Sequence, residues 1–68
     1  MAFPENVRMY RERAGLSQKE LAEMVGVGQQ MIAKYEEGSK IPNVFNAVQL
    51  AKALNTTCET LIKIERND

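Results

Sequence analysis

The chain has no histidine and no tryptophan, a single cysteine, two prolines and no excess of either charge. Each absence excludes something. Without histidine the commonest general acid–base near neutral pH is missing, and no group of Cys, Asp and Glu shows metal-ligand spacing. There is no glycine-rich phosphate loop. Glu36 and Glu37 are adjacent, so on a helix their carboxylates point apart and form no catalytic dyad. Neither an enzyme nor a bound metal or cofactor is expected. One cysteine, Cys58, cannot close an internal disulfide, which fits a reducing cytoplasm. The apolar runs fall far short of the roughly 18 residues of a membrane span, and Met-Ala-Phe-Pro-Glu does not read as the start of a signal peptide. A cytoplasmic protein with no membrane partner is the expectation.

What is present points to helices. Sixty-eight residues, 44% hydrophobic and 26% charged, suit one small globular domain, 1–68, with a core only marginally large enough. Pro4 fits the first position of a helix over about 4–14, with Val7, Tyr10, Arg11 and Ala14 at three- and four-residue spacing, and Gly15 ends it. Ser17 with Glu20 three residues on is a capping box opening a second helix over 18–25, whose Leu21, Ala22 and Val25 share an apolar face. Gly26 is placed where a left-handed turn residue is needed. A third helix over 28–37 turns Ile32 and Tyr35 inward and Gln29, Gln30, Ala33, Lys34 and Glu37 outward. Asn43 caps a fourth over 44–54, with Val44, Ala47, Leu50, Ala51 and Leu54 read as inward, and Asn55 stops it. Thr57 caps a short fifth over 58–64. The fold class is all-α, with no strand, and the second and third helices form a helix-turn-helix.

At these residues the chain resembles the phage lambda/434 repressor and Cro type of helix-turn-helix protein, also called the XRE family. Gln18, Ala22, Gly26, Ile32 and Tyr35 carry the signature. Gly15-Leu16-Ser17-Gln18, Glu36-Glu37-Gly38, Pro42 and Leu50-Ala51-Lys52-Ala53-Leu54 flank it, from about Val7 to Ile62. The resemblance implies a compact five-helix domain that binds double-stranded DNA as a homodimer, reading a pseudo-palindromic operator with its third helix. It implies base-reading roles for Gly28, Gln29, Gln30, Ala33 and Lys34. It also implies an ion pair between Arg11 and Glu36, which would make a partly buried arginine tolerable. The alternative is that Arg11 snorkels along the surface.

The residue types suit that chemistry. A glutamine carries both donor and acceptor, so Gln29 or Gln30 could bridge adenine N6 and N7, and Lys34 could reach guanine or a phosphate. Alone, these three would read as an ordinary solvated face. Gln18 stands at a helix N-terminus, where unpaired N–H groups favour an anion. Lys19 beside it, and Ser39, Lys40 and Asn43 in and after the following loop, are the other candidate phosphate contacts. Nine basic residues against nine acidic weaken a nucleic-acid reading by sum. Their distribution softens this, because Lys19, Lys34 and Lys40 lie in the stretches that would meet DNA while many acids lie toward the chain ends.

The expected function is a sequence-specific transcriptional regulator, most simply a repressor. The alternative is a protein-binding, antitoxin-like module acting through a protein partner, which the zero net charge and Phe45 favour. Phe45 sits where the family tends to be polar, so either a partner subunit covers it or the core repacks. Ile62 and Ile64 raise the same question beside Leu61, and place the expected dimer surface at the fifth helix or the loop before it. Met31 is core filler or a flexible groove contact. Cys58 reads as a small residue at a helix start in preference to a redox switch.

Overall fold

The computed structural model describes residues 2–62, which hold five helices and no strand: α1 Phe3–Arg13, α2 Gln18–Val25, α3 Gln29–Glu37, α4 Val44–Ala53 and α5 Cys58–Leu61. The helix expected over 58–64 reaches only Leu61 within the described residues, and Ile64 lies outside them.

The ends of these helices follow from local chemistry. Ser17 and Glu20 form the full capping box, the Ser17 hydroxyl accepting from the Glu20 N–H at 3.0 Å and the Glu20 carboxylate from the Ser17 N–H at 2.8 Å. Asn43 and Thr57 cap α4 and α5 through their side chains. Gly26 and Gly38 close α2 and α3 at φ of 86° and 83°, where a side chain on Cβ would be strained. Gly38 has a second reason to be glycine. A Cβ there would stand 3.3 Å from Pro4 Cγ, because the start of α1 lies against the end of α3. Asn55 is the one non-glycine residue with positive φ among the described residues.

The helices enclose one core of Phe3, Val7, Leu21, Ala22, Val25, Ile32, Tyr35, Leu50, Ala51, Leu54 and Leu61. α3 packs against both α1 and α2, α4 lies on α2, and α5 bridges α4 and α1. Phe3 meets Tyr35 edge-on, with ring centroids 6.4 Å apart. Asn6 ties α1 to the end of α5, its amide donating to the Leu61 carbonyl at 3.0 Å.

Three readings are corrected. Helix α1 begins at Phe3, which is buried, so Pro4 is the second helical residue. Ala14 is exposed, because α1 ends at Arg13 and Ala14 only caps it. Val44 does not face the core: it is 82% exposed, since Leu50, Ala51 and Leu54 set the buried side of α4 and Val44 falls at that side's edge in the first turn. Met31 packs against the core as filler, and Phe45 and Ile62 are exposed.

Candidate nucleic-acid interface

The turn between α2 and α3 is fixed by two backbone bonds to one acceptor. Gly26 N–H and Val27 N–H both donate to the Ala22 carbonyl, at 2.8 and 3.0 Å. Val27 packs on the core beyond the glycine. This is a left-handed glycine C-cap, and it sets the angle at which α3 leaves. Ile32 and Tyr35 are fully buried, at 0% and 1% exposure, so rotation of α3 about its axis is fixed as well. The opposite face is thereby presented outward.

On that face Gly28, Gln29, Gln30 and Lys34 are exposed and Ala33 is half-buried. Gly28 is the N-cap of α3 and has no side chain to close the helix end. The Gln30 amide folds back toward it, with Oε1 3.1 Å from where a Cβ on residue 28 would stand. Lys19 and Lys40 are exposed, and neither they nor Lys34 joins an ion pair among the described residues. The exposed arginines of α1 are differently placed: Arg8 lies 3.5 Å from Glu12, and Arg13 lies over the Tyr10 ring.

A buried carboxylate binds this assembly together. Glu36, in the last turn of α3, accepts from Arg11 Nε at 2.6 Å and from Arg11 Nη2 at 3.1 Å. The Arg11 and Glu36 side chains are 13% and 6% exposed. Hydrogen bonding to Glu36 raises the Arg11 pKa above its already high value, outweighing desolvation, so Arg11 keeps its charge. Arg11 Nη1 also donates to the Leu16 carbonyl at 2.9 Å. Four segments are therefore joined, because Gln18 Nε2 donates to the same Glu36 at 3.2 Å. That contact had no signal in the sequence beyond the pairing implied for Arg11.

Gln18 is half-buried, and its amide keeps one N–H not given to Glu36, along with its oxygen. Gln18 and Ala33 share an open polar groove of about 340 Å³ with Arg8, Arg11, Glu36 and Glu37, between α1, α2 and α3. Arg8 was not singled out in the sequence, and no spacing rule would have found it. The second phosphate group is less open than its composition suggests. The Ser39 hydroxyl donates to Glu37 at 2.7 Å, and the Asn43 side-chain oxygen is occupied by the Asn46 N–H at 2.8 Å. Lys40 and the Asn43 amide nitrogen remain available there. Among the described residues no group of His, Cys, Asp and Glu could hold a metal ion, and no helix is long and apolar enough to cross a membrane.

Comparison with known proteins agrees with this geometry. Residues 7–61 match the family described as Helix-turn-helix. An uncharacterized HTH-type transcriptional regulator of Bacillus subtilis, YgzD, is 34% identical over 91% of this chain and 94% of its own length. The control protein C.SmaI of Serratia marcescens is 40% identical over 85% of this chain and 69% of its own. Among solved structures, the P22 c2 repressor in complex with a synthetic operator superposes with a TM-score of 0.89 at 32% identity, covering 93% of this chain and 96% of that one. These proteins are regulators, not enzymes. Matched to the family over residues 7–61 and to a phage repressor over nearly its full length, the chain belongs to the helix-turn-helix family of transcriptional regulators, of the phage-repressor (XRE) type.

Proposed function

We propose that the chain, as one domain over residues 1–68, is a sequence-specific repressor in the cytoplasm that binds a pseudo-palindromic operator as a homodimer. The observation that carries this reading is the outer face of α3. Gln29, Gln30 and Lys34 are exposed on a helix whose axis and rotation are held by Ile32, Tyr35 and the Arg11–Glu36 pair. A helix presented this way enters the major groove, where its first residues meet base edges. Gln29 and Gln30 read adenine, Lys34 reads guanine or holds a phosphate, and Ala33 offers a methyl to thymine. Gly28 lets the backbone come close. Gln18, with its amide anchored on Glu36, Lys19, Lys40, Asn43 and Ser39 face the sugar–phosphate backbone, contributing affinity with no sequence information. The lysines on this face imply a modest salt dependence, of order three to four phosphates neutralised per subunit. Obstruction of polymerase at an occupied operator is the simplest route to repression.

Selection of bound sequences from a random duplex pool tests the reading. Two inverted half-sites about 34 Å apart, one helical turn, are the expected result. No enrichment at low salt by the folded protein would contradict it. The second reading, a protein-binding module of antitoxin type, draws on the zero net charge and on exposed Phe45. Retention on heparin that salt reverses separates the two.

A further inference from the structure

Helix α4 is the most apolar of the four longer helices. Leu50, Ala51 and Leu54 take up its buried side. At about 100° per residue, the apolar side chains run on through Ala47, Val44, Val48 and Phe45 over about 220°, with Lys52 falling between Val48 and Phe45 one turn nearer the C-terminal end of the helix. A helix facing a single core needs about half of that. The other half is open: Val44 is 82% exposed, Phe45 67% and Val48 36%, and Ile41, just before the cap, is 67% exposed. These four residues expose roughly 450 Å² together, the size of the largest apolar patch on a typical monomer, which is often a functional surface.

We infer that this face of α4 is covered by a second copy of the chain, packed on the same face across a two-fold axis. The area favours that occupant. With the stems of Gln49 and Lys52 at its edge, two such faces bury on the order of 1,000 Å², the lower limit for a specific interface. The charge pattern permits it. Between Glu37 and Glu59 the chain has no acidic residue, and the middle of the stripe has no charge at all. An antiparallel crossing centred between Val44 and Phe45 sets Val44 against Phe45 and Val48 against Ile41, and Lys52, at the edge beyond the end of the contact, reaches water along its own stem. Such a dimer is weak alone, and an operator with two half-sites would reinforce it by holding both copies together. The inference deepens the proposed function by assigning the dimer surface to α4, where the sequence had pointed to α5.

Sedimentation equilibrium of the full chain without DNA, from about 1 µM to about 1 mM, tests it. The expected result is a monomer–dimer equilibrium whose Kd rises at least tenfold in Phe45→Lys and in Val44→Lys, and stays within twofold in Ile62→Lys. Circular dichroism should show all three variants folded, since the replaced side chains are exposed. A wild type that stays monomeric throughout would overturn the assignment, whatever other partner the stripe then takes. So would a dimer that Ile62→Lys loosens and the α4 variants leave intact. Selection of a two-fold operator by a protein with either outcome would leave the regulator reading standing, so the two can fail separately.

Discussion

The outward faces of α3 and α4 stand on the same core and are exposed to a similar degree, yet they are built from opposite materials. The α3 face carries amides and an unpaired lysine, and it is supported from behind by two buried apolar residues and a buried ion pair. The α4 face carries valine and phenylalanine, and nothing in the described residues covers it. A polar exposed face is cheap to leave in water and becomes useful only if its orientation is fixed. An apolar one costs free energy until something covers it. The first therefore fits a ligand of hydrogen-bonding edges and the second fits a protein surface. Helix orientation matters more on α3, and there the structure concentrates its constraints.

Removing the constraint behind α3 should have the largest effect. Arg11→Ala leaves the Glu36 carboxylate buried with only the Gln18 amide as partner, a loss of about 3–5 kcal/mol for a broken buried pair. The melting temperature should fall by more than about 10 °C. Arg13→Ala, whose side chain is exposed over Tyr10, should move it by a few degrees at most. Equal losses in a thermal melt would show that the pair is not what holds α3. Substitutions on the α4 stripe belong with Arg13 in this respect, because a side chain already in water loses little on replacement.

A smaller effect is expected at the backbone contacts. Lys40→Ala should weaken every duplex alike, and titrations at several salt concentrations should give a log–log slope shallower by about 1. A change in preference among sequences instead would make Lys40 a reader. Smallest is the pH response of the α2 cap. The Ser17 N–H and hydroxyl hold the Glu20 carboxyl below its ordinary range. A depressed carboxylate means that the unfolded chain binds the proton more readily, so this contribution is complete above the unfolded pKa of about 4 and lost as pH falls through the lower folded value. Melting curves should therefore show Glu20→Gln losing part of the wild type's acid sensitivity between about pH 5 and pH 3. An unchanged slope would place that sensitivity elsewhere.

The helix-turn-helix was legible because its signals are local: a capping box four residues long, a glycine at the turn, apolar residues at helical spacing. The pairing of Arg11 with Glu36 spans 25 positions, and only the family resemblance reached it. The Gln18–Glu36 bond and the groove beside Arg8 depend on how α3 crosses α2 and α1, which no window of sequence encodes. Val44 was misread for a related reason. Periodicity gives α4 a broad apolar arc, but which half of it meets the core is decided by α2 and α5. Phe3 was missed because the helix starts a residue before the proline that marks it.

The measurement that bears most directly on α3 as the reading element is a comparison of site preference between the wild type and Gln29→Ala and Gln30→Ala, on the selected operator and its single-base-pair variants. Each substitution is expected to cost about 1–3 kcal/mol on the preferred site and to relax discrimination at one base pair per half-site, with folding unchanged. If both variants kept the wild type's full discrimination, the outer face of α3 would not be what reads the DNA.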